Sequence, residues 1–224
     1  MSRLEGFSDS VFAIVLALLF LRAAPPDTFA DLKAAMKALV PFAASFAIIG
    51  YVWVEHWLFS RRYDLHDGWT TFLNLLLLFL LLFYAYPLKF LFTLLFVSFC
   101  GPIGELTQQK MLHGFEDNGD AVRLFVFYGI GYGAIFVVIA LLYARAHHFQ
   151  GSLGLNALER FLTRSGILQS LLQAGVAVLS MVLALTGIGL GSGVPGWIYG
   201  LIGPLMGVHG MWEGRRVRRL LAAA

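Results

Sequence analysis

Residues 69–87 read WTTFLNLLLLFLLLFYAYP, without a single charged side chain. About 20 apolar residues carry a helix across the hydrocarbon of a bilayer. Within lipid, every backbone N–H and C=O must be bonded internally, so such a run spans only as a helix. Five further apolar runs accompany it, and together they predict spans at about 6–21, 36–59, 69–89, 122–143, 167–188 and 197–212. The stretch FLFTLLFVSF at 90–99 is too short to span alone, so it either extends the third helix or lies in the outer interface. A glycine-rich hairpin, GLGSGVPG at 189–196, joins the last two spans. The fold class predicted is an all-α membrane protein, with residues 1–224 forming one domain of six transmembrane helices.

Composition agrees. Hydrophobic residues make up 59% of the chain and charged residues 13%, with a mean hydropathy of +0.78. That is too little charge to cover a soluble domain. The net charge of +3 gives no reason to expect nucleic acid as a partner, and a lone Cys100 excludes an internal disulfide and any cysteine metal cluster. No cofactor is expected. No cleavable leader is expected either, because the first run follows Glu5 and Asp9 and lacks a basic flank.

Lys and Arg set orientation. Arg3, Arg61, Arg62, Arg145, Arg160, Arg164 and the four arginines of RRVRR at 215–219 fall on one side. Only Arg22, Lys33, Lys37, Lys89, Lys110 and Arg123 fall on the other. Both termini are therefore expected in the cytoplasm, with the protein in the cell membrane. The loop at 101–120 carries Glu105, Glu116, Asp117 and Asp120, and reads first as a solvated outer loop and second as a cation-attracting vestibule.

The first helix is short and has polar residues at its mouth. Phe7, Val11, Ile14, Leu18 and Leu21 are spaced four, three, four and three apart, so they form one narrow stripe. By itself such a stripe is equally ordinary helix packing. Ser8 and Asp9 lie near the inner end. The second helix carries Trp53 and His56 near its own inner end, and the third carries Asn74 a turn or two in. Polar groups in a membrane need partners. Arg3, Ser8, Asp9, Trp53, His56 and Asn74 would satisfy one another as an interhelical network. It either fixes helix packing alone or also holds the first helix beside a permeation path.

Arg3-x-x-x-Phe7-Ser8-Asp9, followed by Val11-Phe12-Ala13-Ile14, resembles the signature of the transmembrane protein 175 family of potassium channels. Trp53-x-x-His56-x-Leu58-Phe59 and the Leu73–Leu76 run extend the resemblance over about the first 90 residues. It implies a homotetramer whose four first helices line a central pore, permeable to potassium or other monovalent cations. It also implies a constriction of bulky aliphatic rings, matched here by Ile14, Leu18 and Leu21, with Val11 and Ala17 beside them on the pore lining. The motif residues Arg3, Phe7, Ser8, Asp9, Trp53, His56 and Asn74 then form the gating and structural network. Two positions depart from the family pattern. Ala17 stands where members commonly have Thr, and Arg22 stands where an acidic residue often closes the helix. Both bear on selectivity, since Ala offers a dehydrated cation no hydroxyl and an Arg ring would repel it.

Gly131-Tyr132-Gly133 matches a potassium-filter tripeptide, but it lies inside the fourth run with no preceding Thr-Val. A filter is an extended loop whose carbonyls replace water. Gly129 and Gly133 read better as a small-xxx-small packing face. Pro204 is a candidate kink in the sixth helix. His209 reads as a packing residue, His147-His148 lacks the partners a zinc site needs, and RRVRR reads as an anionic-lipid anchor. A secondary transporter or proton leak of the same architecture is the alternative, although internal symmetry is not evident. An enzyme would need a nucleophile or metal set beside Asp9 and His56.

Overall fold

The computed structural model describes residues 3–20, 27–65, 67–100, 118–190 and 193–222. All regular structure among them is helical. The helices are α1 (Arg3–Phe20), α2 (Phe29–Tyr63), α3 (Gly68–Cys100), α4 (Asn118–His148), α5 (Ala157–Thr186) and α6 (Ile202–Ala222). A single turn, Val194–Trp197, and a 3-10 turn, Ile198–Leu201, precede α6. Phe29–Tyr63, Gly68–Val97, Gly119–His148 and Ala157–Thr186 are long and apolar enough to cross a membrane by length and composition. The protein is therefore an all-α, multi-pass membrane protein. Helices α1 and α6 are not in that set, because α1 opens with Arg3, Glu5 and Asp9 and α6 ends in arginines.

The helices outrun the apolar stretches that predict them. At 33 residues, α3 is about 50 Å long against a hydrocarbon core of about 30 Å. The stretch at 90–99 continues α3 and forms no separate element. Local chemistry sets the ends. Asn156 caps α5 by accepting from the Glu159 N–H while Glu159 accepts from the Asn156 N–H, a reciprocal capping box. Gly187 ends α5 at φ 72°, a left-handed turn that side chains resist. Gly189 and Gly193 also have positive φ, so the glycine-rich hairpin follows the expected chemistry. Pro204 lies in the first turn of α6, and its effect falls upstream. It has no N–H for the Gly200 carbonyl four residues back, and there the backbone tightens to 3-10.

The chain divides into two compact units. The first comprises residues 1–55 and 78–124: α1, most of α2, the second half of α3 and the start of α4. Here α1 buries Ser8, Val11, Phe12, Val15 and Leu19, and Ser8 donates its hydroxyl to the Leu4 carbonyl at 2.8 Å. At the other end of α1, Lys89 of α3 donates from Nζ to the Leu19 carbonyl at 2.6 Å. Leu19 lies in the last turn of α1, which contains no basic residue of its own. Lys89 therefore supplies both a donor for an end carbonyl and a positive charge at the negative end of the helix dipole.

The second unit comprises residues 56–77 and 125–224. Its centre is aromatic: Phe59, Tyr63 and Tyr143 lie with ring centroids 5.2–6.0 Å apart. Thr163 donates its one hydroxyl proton to the Glu159 carbonyl, so Tyr63 donates to Thr163, at 2.7 Å. The GYG tripeptide is helical, midway along α4, and Tyr132 donates to Gln173 of α5 at 2.6 Å. Gly129 and Gly133 lie against α5 as the packing face their spacing predicts. A Cβ at Gly129 would sit 2.2 Å from Met181 Cγ and 3.2 Å from the Ala177 carbonyl oxygen, whereas one at Gly133 would meet Ala177 Cβ at an ordinary 3.5 Å. Gly129→Val is expected to cost roughly 1–3 kcal/mol by overpacking, and Gly133→Ala much less. Thermal melts of the two variants in detergent check this; equal melting points would refute the assignment.

Candidate functional site

The two faces of α1 differ sharply. Val15 is 0% exposed and Val11 7%, while Phe7 is 52% and Ile14 54% exposed. Ala17 is exposed and Leu18 half-buried. At 100° per residue, Phe7, Ser10, Ile14 and Ala17 fall on one side and Ser8, Phe12, Val15 and Leu19 on the other. The stripe expected from spacing is thus rotated. Val11 turns into the packing of its unit, while Ala17 lies on the open face and Ser10 joins it there. The reason is width: five residues spaced four and three apart cover a sector broad enough to straddle the edge between the two faces. Leu21 and Arg22 lie outside the described residues, as do Glu105, Glu116 and Asp117 of the acidic loop. Asp120 pairs with Arg123 at 3.0 Å.

The expected polar network takes two forms. In the first unit, the Trp53 indole N–H donates to Asp9 Oδ1 at 3.0 Å, tying α1 to α2. Ser8 is spent on its own helix, and Arg3 and Phe7 are exposed. In the second unit, His56 Nε2 lies 2.9 Å from Asn74 Oδ1, and both residues are buried. Asn74 donates its amide to the Thr70 carbonyl at 3.0 Å. Its Oδ1 is then the acceptor, so His56 carries its proton on Nε2. Asp9 therefore pairs with Trp53, and His56 with Asn74.

The second set continues beyond the residues expected to form the network. The Thr70 hydroxyl donates to Asp67, which also caps α3 by accepting from the N–H groups of Trp69 and Thr70. Arg145 of α4 donates to the same carboxylate from Nε at 3.3 Å and from an Nη at 3.0 Å. His56, Asn74, Thr70, Asp67 and Arg145 thus form one hydrogen-bonded chain along the start of α3. The Asp before Gly68-Trp69-Thr70 is a legible helix cap, but its partner 78 residues away is not. Partial burial pushes the Asp67 carboxyl up, yet hydrogen bonds from Thr70 and Arg145, with the Arg145 charge, outweigh it and hold the group below its usual 3.8. A lowered carboxyl stabilises the fold above the ordinary carboxylate range, and that contribution is lost as pH falls through the folded-state value. Asp67→Asn is expected to cost roughly 1 kcal/mol at neutral pH, discounted for partial exposure. The melting-point gap to the unsubstituted protein should close as pH drops below 4. A gap that stays constant with pH would show that the charge contributes nothing.

His209 is a packing residue with partners: its Nε2 lies 3.3 Å from Ser165 Oγ and its ring lies against Trp212.

Comparison with known proteins gives a consistent picture. The sequence profile of the family described as "Endosomal/lysosomal potassium channel TMEM175" matches residues 3–84, which span α1, α2 and the first half of α3. A protein of Marivirga tractuosa named "Potassium channel" is 39% identical over 223 residues, covering 98% of this chain and 90% of the relative. The fold is similar to a crystal structure of a variant of the potassium channel MtTMEM175 bound to a nanobody–MBP fusion. The TM-score is 0.79 at 37% identity, covering 96% of this chain and 94% of the other. With the α1 motif, the α1–α2 tie and identity sustained along the whole chain, this protein belongs to the TMEM175 family of potassium channels.

Proposed function

We propose that the protein is a potassium-permeable cation channel whose path is lined by the open face of α1. The observation that carries this reading is the uncovered Phe7–Ile14–Ala17 face of α1, opposite the buried Ser8, Phe12, Val15 and Leu19. One such face cannot enclose a path, so symmetry supplies the remaining walls, in a homotetramer. Ile14 forms the innermost ring of the constriction, with Leu18 and Leu21 beyond it. Bulky aliphatic rings at one level exclude water and hold the path closed until small helix movements widen it. The tie from Trp53 to Asp9 holds the inner end of α1, and Lys89 holds the outer end. Residues 1–224 act as one channel domain of six spans in the cell membrane, with both termini cytoplasmic, and the protein catalyses no reaction.

Purified protein in potassium-loaded liposomes tests this. Potassium flux should follow the electrochemical gradient without a coupled ion, and flux of potassium, sodium, caesium and protons should be compared in turn. Flux that requires a counter-substrate would favour a secondary transporter of the same architecture. Proton flux without potassium flux would favour a proton leak. Absence of any flux would remove the reading.

A further inference from the structure

Helix α6 ends in four arginines that the permeation path leaves without a role. In the second unit, α6 packs on α5 through the Ser165–His209 contact, the Ser165 hydroxyl donating to Glu213, and the Phe161 and Trp212 rings, 5.4 Å apart. The inward residues His209, Glu213, Val217 and Leu220 are four, four and three apart, one helical stripe. The opposite side carries Val208 and Met211, both exposed, and then Arg215, Arg218 and Arg219 in the next two turns, exposed as well; Trp212 stands at the boundary between the two sides, its ring against Phe161 yet 49% exposed. Val208, Trp212, Arg215 and Arg219 are spaced four, three and four, so the apolar wall runs directly into the guanidinium groups. Among the described residues, Arg215, Arg216, Arg218 and Arg219 form no ion pair with a carboxylate. The α5–α6 contacts pair 165 with 209 and 161 with 212. The antiparallel register therefore brings Arg160 of α5, also exposed, level with the start of the basic turns.

We propose that this outward face of α6 is a binding site for an anionic phospholipid. The phosphate is held by Arg215, Arg218 and Arg219, and an acyl chain lies along Met211, Val208 and the face above them. Arginine suits the task because its planar fork binds phosphate oxygens through two parallel hydrogen bonds, and Trp212 sits where an amphipathic ring prefers the headgroup boundary. A free phosphate has no use for the apolar wall. The continuity of the wall with the arginines points to a phosphate that carries chains.

Native mass spectrometry of the full-length protein, titrated with phosphatidylglycerol or phosphatidylcholine of matched chains, tests it. Phosphatidylglycerol should be retained at least about tenfold better, given that each basic residue near an anionic surface adds severalfold. The Arg215→Gln/Arg216→Gln/Arg218→Gln/Arg219→Gln variant should lose that preference. If that variant fails to fold, Arg218→Gln/Arg219→Gln should lose most of it. Millimolar inorganic phosphate should not displace the lipid. Equal retention of both lipids, or an unchanged preference in whichever variant folds, overturns the proposal. Displacement by inorganic phosphate makes the site one for free anions and overturns it too. Disulfide cross-linking of Met211→Cys between two copies, in a Cys100→Ser background, would mean that a second copy covers this face, and would also overturn it.

Discussion

Ile14→Asn is expected to raise potassium flux in liposomes at least tenfold and to reduce discrimination between potassium, sodium and caesium. The open face of α1 presents Ile14 at its middle. In the proposed tetramer a ring of butyl-sized side chains forms a dry barrier, and asparagine amides would admit water and offer oxygens to a partly dehydrated cation. Lowering the barrier by only about 1.4 kcal/mol is worth a factor of ten in rate. The control must be chosen from the structure. Val15 is adjacent in sequence and lies about 100° around the helix. It is fully buried, however, so Val15→Asn would place an unsatisfied amide in the packing of the subunit and report on folding. Ile130 of α4 is as exposed as Ile14, at 56%, and Ile130→Asn should leave flux unchanged. Should Ile130→Asn raise flux while Ile14→Asn leaves it at the starting level, the open face of α1 does not line the path.

Lys89→Met should produce the second large change, in gating. The ammonium–carbonyl bond to Leu19 joins α3 to the C-terminal end of α1. A hydrogen bond to a charged group is worth roughly 1.5–3 kcal/mol. Its loss frees the end of α1 carrying Leu18, and the balance between closed and open states should shift by about tenfold or more. Lys89→Arg keeps a cationic donor at the same place and should restore much of the original behaviour. Single-channel recording reads the open probability, and a melt in detergent separates gating from unfolding. Recordings of Lys89→Met that match the unsubstituted protein would show that Leu19 needs no donor from α3.

Sequence and structure divide the problem along a physical line. Helicity was legible, because hydrocarbon leaves the backbone few alternatives and the apolar runs announce themselves. The glycine-rich turn with Gly189 and Gly193 was legible because it is decided within a few residues; the caps at Asn156 and Asp67 and the turn at Gly187, not singled out from the sequence, are of the same local kind. The packing role of Gly129 followed from the four-residue spacing of small side chains. The open face of α1 was only half legible. A 3.6-residue period locates a stripe but not which edge of it meets the neighbouring helices, and Val11, at that edge, is buried in its unit. The polar network shows the same limit. Composition predicted that Asp9, His56, Trp53 and Asn74 would find partners, and they do. The choice of Trp53 for Asp9 and Asn74 for His56 depends on helix rotation, which only packing fixes. Arg145 and Lys89 mark the far end of that scale. In sequence each is a charge counted toward orientation. In three dimensions one clamps Asp67 at the start of α3 and the other closes the end of α1, across 78 and 70 residues of chain that no local pattern connects.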